Sequence, residues 1–223
     1  MFEIGLTYKD IDYLLYTHFH LDHIADLGPI IFASKYDLDP RIKELTVIGP
    51  QGIQEFYQKL LDLYGKQIQN LNYNIHIVDL TTKFTAPGWE VSFIKTQHTP
   101  ESIGYRILER SGNPDCPASA VASAGKHKND KVIVYSGDTE PFPELSEFAK
   151  GADILILECA FPMYMPYHLY PDVVGEIAQA SGTKWLIISH LYPLCDEKDI
   201  LTPIRKKFKG KLTIAHDLMQ IEV

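Results

Sequence analysis

Short apolar runs that alternate with amphipathic segments are the feature that most restricts the fold of this 223-residue chain. Helical spacing of apolar residues over 51–64, before Gly65, predicts a helix, and Pro171 opens a second one that runs to about 180. A further helix is expected from Ile24 onward, disturbed by Gly28 and Pro29. Strand-length runs occupy 13–16, 45–48, 73–78, 90–95, 104–108, 131–135, 154–157 and 184–188. This alternation predicts a layered α/β domain.

The composition is that of an ordinary globular protein, with 45% hydrophobic and 22% charged residues. Nothing in it marks a boundary, so residues 1–223 are expected to form a single domain. The net charge of -8 disfavours broad, non-specific attraction to nucleic acid.

The sequence also predicts a cytoplasmic location. No apolar run is long enough for a membrane span, and no signal peptide opens the chain. The cysteines, Cys116, Cys159 and Cys195, are odd in number and far apart, which argues against a disulfide framework or a thiolate zinc site.

The segment 111–130 is rich in Ser, Ala, Gly, Pro, Asn and Lys and has no hydrophobic period, so it is predicted to be a mobile loop. Two roles are open for it: a lid over the functional site, or a tolerated insertion without a role.

Four side chains of ligand type, His18, His20, Asp22 and His23, lie within six residues directly after the first predicted strand. Alternate residues of an extended chain project to the same side, so His18 and His20 can bind one ion together. Asp22 and His23 follow where the chain turns and can face a second position. Grouped His and carboxylate side chains at the end of a strand are typical of metal sites.

This run resembles the HxHxDH signature of the metallo-β-lactamase superfamily, and later motifs of that family follow in order. They are Gln97-His98, Ser136-Gly137-Asp138-Thr139 and Ser189-His190, each directly after a predicted strand. The resemblance implies a four-layer αββα sandwich. It assigns His18, His20 and His98 to one metal ion, Asp22, His23 and His190 to a second, and Asp138 to both.

The ligand types favour zinc over magnesium for these two divalent ions, and manganese and iron also suit them. Three protein ligands for each ion and a bridging carboxylate leave room for a shared water, whose pKa the metal would lower toward about 7. His76, His127 and His216 lie outside the motifs and are expected to be structural or exposed.

Glu158 and His168 resemble the acidic and histidine motifs through which ribonuclease Z and related phosphodiesterases supply a proton to the leaving oxygen. A Glu that orients a His can hold it protonated beside a phosphate. Asp22 is expected to orient or deprotonate the attacking water in addition to binding metal. Tyr170 stands where the ribonuclease motif has Ser or Thr, so the two motifs differ here.

The resemblance therefore implies a phosphodiesterase acting on RNA 3′ ends or on a small or cyclic phosphodiester. The stretch between His98 and Asp138 has no Gly-Pro-rich basic arm of the kind that long-form tRNA binders use. The alternatives are a thioester hydrolase resembling glyoxalase II, a lactamase, and a non-catalytic metal-binding interaction protein. A homodimer is expected from the related phosphodiesterases.

The position of the first motif predicts an unusual first sheet. Superfamily members build several strands before the HxHxDH loop, and here that loop begins at Thr17. The first sheet is therefore expected to lack its early strands and to leave an edge and an apolar face uncovered, unless another chain fills the gap.

Overall fold

The computed structural model describes residues 2–69, 71–111 and 129–222. The chain forms two compact units, Met1–Thr81 (unit 1) and Thr82–Val223 (unit 2). The single domain expected from the sequence stays a prediction. Residues 112–128 of the predicted loop 111–130, with Cys116 and His127, lie outside the described residues.

Unit 1 is built on a three-stranded parallel sheet of order β1-β2-β3, formed by Tyr13–Leu15, Leu45–Gly49 and Ile75–Asp79. The helices are α1 (Leu21–Ile24), α2 (Leu27–Tyr36) and α3 (Ile53–Tyr64), with single 3₁₀ turns at Phe2–Ile4 and Gly65–Gln67. Parallel neighbours require crossover connections, which the helices provide. In the described part of unit 1 no strand precedes β1, as the position of the first motif predicts.

The core of unit 1 lies between α2, α3 and one face of the sheet. Leu27 and Ile31 of α2 and Ile53 of α3 are buried in one cluster with Leu45 and Val47 of β2. Each such side chain contributes roughly 1.5–3 kcal/mol through burial. This cluster holds β1, and with it the segment that carries His18 to His23, against a fixed support.

The helical stretch predicted from Ile24 onward is interrupted, since α1 ends at Ile24 and α2 begins at Leu27. Gly28 and Pro29 lie in the first turn of α2, where backbone N–H groups have no partner within the helix. The helix runs unbroken to Tyr36.

Arg41 fixes the connection between α2 and β2. Its side chain is 2% exposed, and its guanidinium donates to five backbone carbonyls over distances of 2.5–3.1 Å. Hydrogen bonds to a buried cation stabilise more than neutral ones, so one side chain ties the start of the chain to the segment before β2. The acceptors are the carbonyl oxygens of Tyr8, Lys9, Ile11, Lys43 and Glu44.

Unit 2 is built on a seven-stranded mixed sheet of order β10-β9-β8-β7-β6-β5-β4. The strands β4 to β7 pair antiparallel, and β7 to β10 pair parallel. The strands are Lys83–Ala86, Trp89–Lys95, Ile103–Glu109, Lys131–Tyr135, Ile154–Glu158, Trp185–Ser189 and Lys211–Ile214, and the helices are α4 (Pro143–Phe148), α5 (Pro171–Ser181) and α6 (Leu201–Lys207).

The three helices in the described part of unit 2 cover one face of its sheet. Alternate residues of β7, β8 and β9, such as Val134, Leu155 and Leu186, pack in one buried cluster with Leu145 of α4 and Val174 of α5. The period of two in β7 follows from the pleat of a strand, since alternate side chains point to the same face.

The topology of unit 2 places the ends of four strands at one edge. Strands β7, β8 and β9 are parallel, and β5 has the same direction because two antiparallel pairings separate it from β7. The segments that follow these four strands therefore leave the sheet at the same edge. Polar side chains in those segments are brought together by the strand order alone.

Each predicted strand matches an observed one to within two residues at either end, and the helices predicted over 51–64 and 171–180 are confirmed. No run in the sequence predicts the short strand β4 or helix α4, and no bounds are predicted for β10 and α6. Among the described residues, every helix is too short or too polar to cross a bilayer.

Candidate metal centre

In unit 1 the structure brings the predicted cluster together. Its three histidine rings pack closely, with the centroid of His18 4.7 Å from that of His20 and 4.2 Å from that of His23. His18 is fully buried, and its Nδ1 lies 3.0 Å from the hydroxyl oxygen of Thr17. The short helix α1 returns His23 toward His18, and Asp22 Oδ2 lies 3.4 Å from His23 Nε2.

In unit 2 the common strand edge carries His98 after β5, Asp138 after β7 and His190 after β9. Asp138 is the centre of this group and is 3% exposed. Its Oδ2 lies 3.8 Å from His98 Nε2 and 3.4 Å from His190 Nε2. Three segments far apart in sequence thus place two imidazole nitrogens next to one buried carboxylate oxygen.

Thr139 connects the segments that carry His98 and Asp138. Its hydroxyl oxygen accepts a hydrogen bond from the N–H of Gln97 (3.0 Å), and the N–H of Glu140 donates to the carbonyl of Gln97 (2.9 Å). The segment is also packed tightly against β6, because a Cβ on Gly104 would lie 2.7 Å from the carbonyl oxygen of Ser136. Only glycine permits this approach.

Glu158 and His168 form a buried pair beside this group. Glu158 is 1% exposed, and its two carboxylate oxygens accept hydrogen bonds from the N–H groups of Thr139 (2.8 Å) and Ala160 (3.1 Å). Both oxygens also lie 3.1 Å from His168 Nδ1. Since the carboxylate is an acceptor in all these contacts, Nδ1 of His168 carries the proton. The ring therefore has a fixed orientation and keeps Nε2 for the site.

A hydrogen-bonded chain that the sequence did not reveal orients His98. Its Nδ1 lies 2.9 Å from the carbonyl oxygen of Tyr167, which can only accept, so Nδ1 donates and Nε2 is left to bind a cation. The N–H of Tyr167 in turn donates to the carboxylate of Glu140 (2.6 Å). Because His98 is bound by the backbone carbonyl of residue 167 and not by its side chain, the sequence could not predict this hydrogen bond.

Two residues of the site have left-handed backbone conformations. The φ angles are +53° for His190 and +71° for Tyr167, values that non-glycine residues rarely adopt. Such conformations cost about 1–3 kcal/mol each and persist where the surroundings fix them, which is common at functional sites.

The negative charges of Asp138 and Glu158 affect the pKa of Tyr135, the last residue of β7. Burial first, and the charges of Asp138 and Glu158 second, raise the pKa of Tyr135 to about 12. Its hydroxyl therefore stays protonated at neutral pH and cannot serve as a base there.

The donor set of each unit has the chemistry of a metal site. In unit 2 the ligand atoms of His98, Asp138 and His168 lie within 4.8 Å of one another, and so do those of Glu158, His168 and His190. Imidazole nitrogen and carboxylate oxygen are suitable donors for zinc and related divalent ions. His76 and His216, which the sequence placed outside the site, are exposed, and His76 pairs with Glu44.

A family model described as the beta-lactamase superfamily domain matches residues 4–191. A ribonuclease Z of Archaeoglobus fulgidus is 26% identical over 259 residues, which cover 97% of this chain and 82% of the relative.

Two solved structures have a similar fold. The metallo-beta-lactamase fold protein YhfI from Bacillus subtilis superposes with a TM-score of 0.72 at 23% identity, over 96% of this chain and 78% of that one. The short form of human tRNase Z gives a TM-score of 0.68 at 18% identity, over 97% of this chain and 81% of that one. Family and fold class are thus confirmed: the chain belongs to the metallo-β-lactamase superfamily of hydrolases and is similar to its ribonuclease Z-like members.

Proposed function

We propose that this metal-dependent hydrolase is a phosphodiesterase that acts on RNA 3′ ends or on a small or cyclic phosphodiester. The observation that carries the proposal is the buried Glu158–His168 pair. The ligand atom of His168 lies within 4.8 Å of those of His98 and Asp138, and the ligand atoms of Glu158 and His168 both lie within 4.8 Å of that of His190. A thioester does not need an acid of this kind to the same degree, because a thiolate is a better leaving group than an alkoxide. The ribonuclease Z of Archaeoglobus fulgidus supports the same substrate class.

The metal ligands of the proposal are those that the family resemblance assigns. His18, His20 and His98 would bind one ion, Asp22, His23 and His190 the other, and Asp138 both. The close packing of the rings in unit 1 and the position of Asp138 beside two Nε2 atoms in unit 2 support this assignment. When bound, the ions would lower the pKa of a coordinated water toward about 7 and stabilise negative charge on the phosphate.

The protein's own part of the reaction is proton transfer to the leaving oxygen. The Glu158 carboxylate accepts a hydrogen bond from Nδ1–H of His168 and favours the doubly protonated ring, which can then donate a proton from Nε2. We assign this role to His168 and the orienting role to Glu158. Asp22, which is 60% exposed at its side chain, would help to orient the attacking water. The homodimer and the cytoplasmic location stay predictions.

Substrate class is tested with purified, zinc-loaded protein and four substrates: unprocessed tRNA, a cyclic nucleotide, bis-p-nitrophenyl phosphate and a glutathione thioester. We expect turnover of at least one phosphodiester and none of the thioester. Turnover of the thioester alone would contradict the proposal, and bound metal without any hydrolysis would favour a non-catalytic interaction protein.

The proton-donor role predicts that replacing His168 matters only when the leaving group needs a proton. His168→Ala should lower kcat for a phosphodiester with an alkoxide leaving group by roughly 10²–10⁴-fold, the usual contribution of a general acid. Hydrolysis of bis-p-nitrophenyl phosphate should change much less, since p-nitrophenolate leaves unaided. Steady-state kinetics on both substrates measures the difference.

A matched control is His76→Ala, because His76 Nε2 lies 3.4 Å from Glu44 Oε2 in an exposed pair outside the motifs. That variant should leave both rates unchanged. If His168→Ala lowers the two rates by the same factor, the proton-donor role is wrong and His168 serves binding or structure instead.

The Glu140–Tyr167–His98 chain predicts a positioning role for Glu140. Glu140→Ala removes the acceptor that holds the N–H of Tyr167, and should weaken zinc binding about 10–100-fold, the usual effect of losing such a partner. Glu140→Gln keeps an acceptor oxygen and should restore most of the affinity. Competition with a zinc chelator measures it, and equal affinity in all three proteins would show that the chain does not support His98.

A further inference from the structure

Two aromatic residues that the mechanism does not use lie directly beside its histidines. Phe161, His168, His190 and Tyr192, called here the aromatic wall, form a closed set of ring contacts in unit 2. The centroid of Tyr192 lies 5.5 Å from that of His190 and 6.3 Å from that of His168. In the aromatic wall, His168 and His190, which belong to the proposed site, are in ring contact with Phe161 and Tyr192, which have no part in the proposed reaction.

Phe161 and Tyr192 are stacked in parallel, with their centroids 4.9 Å apart and their planes inclined by 9°. Tyr192 is nevertheless 41% exposed. Phe161 covers one face of the Tyr192 ring, and the rings of His190 and His168 meet it at angles of 69° and 70°. Tyr192 thus combines a ring supported by Phe161 with accessible surface that a ligand can reach.

The backbone holds this surface in place. The N–H of Tyr192 donates to the carbonyl of Ala160 (3.1 Å), and the N–H of Cys195 donates to the carbonyl of Tyr192 (2.8 Å) at the 3₁₀ turn Pro193–Cys195. A ring fixed in this way loses little conformational freedom when a ligand stacks on it, so more of the stacking energy contributes to affinity.

We propose that Tyr192, supported by Phe161, is a stacking platform for the nucleobase of the nucleotide whose phosphate is cleaved. This rests on the proposed phosphodiesterase function and narrows its substrates to nucleotides. The Tyr192 ring is in direct ring contact with His190 and His168. A base that stacks on Tyr192 would therefore hold its own nucleotide next to both histidines.

Stacking on an aromatic side chain is sequence-tolerant because every base has a π face. We therefore expect the protein to bind a nucleotide more tightly than its abasic analogue, and to bind nucleotides with the four different bases about equally. Removing one stacking ring typically weakens binding by about 10-fold or more.

The test is a fluorescence titration of the zinc-loaded protein with a dinucleotide that contains 2-aminopurine and a non-hydrolysable methylphosphonate linkage. Stacking on Tyr192 should quench the fluorescence. In Tyr192→Ala the Kd should rise about 10-fold and the quenching should be lost, whereas Tyr192→Phe and Tyr192→Trp should retain both. The abasic analogue should bind the wild-type protein and Tyr192→Ala equally, as measured by competition.

Tyr36→Ala is the matched control, since Tyr36 is 56% exposed and packs on Phe32 with centroids 4.7 Å apart, but belongs to unit 1. It should bind like the wild type. The platform is refuted if Tyr192→Ala binds the dinucleotide as tightly as the wild type, or loses affinity equally for the abasic analogue. Base-dependent quenching without hydrolysis of any phosphodiester would refute the proposed function but would still show that Tyr192 stacks on a base.

Discussion

The buried carboxylate of Glu158 is the interaction on which the arrangement of unit 2 depends. A charge that is 1% exposed is costly unless donors surround it, and here Thr139, Ala160 and His168 provide them. These donors belong to three different segments: the one after β7, the one after β8, and the approach to α5. Removing the carboxylate would leave several donors unsatisfied and release all three segments from one another.

Because those segments are fixed, strained backbone can be maintained next to them. His190 and Tyr167 both have positive φ angles, and each contributes to the site: His190 through its ring, and Tyr167 through the carbonyl that orients His98. The strain is small compared with the hydrophobic cluster that supports the sheet, so the fold can sustain it. The orientation of His98, Asp138 and His190 therefore depends on the stability of the core, because these residues follow strands that the core holds in place.

Much of this arrangement could be predicted from the sequence, because a strand-length run followed by His or Asp specifies both the element and the position of the side chain. His98, Asp138 and His190 are of this kind, and unit 2 brings them together as predicted. Glu140 could not be found this way, since it acts through the backbone of Tyr167 and not through a motif.

The proposed function depends on seven His and Asp side chains that would together hold a pair of divalent ions. Anomalous diffraction from crystals of the zinc-loaded protein, recorded above and below the zinc absorption edge, tests it most directly. We expect two anomalous peaks, both within coordination distance of Asp138, one of them bound by His98 and the other by His190. Crystals grown with excess zinc that show no peak at Asp138, with His98 and His190 turned away from it, would contradict the claim.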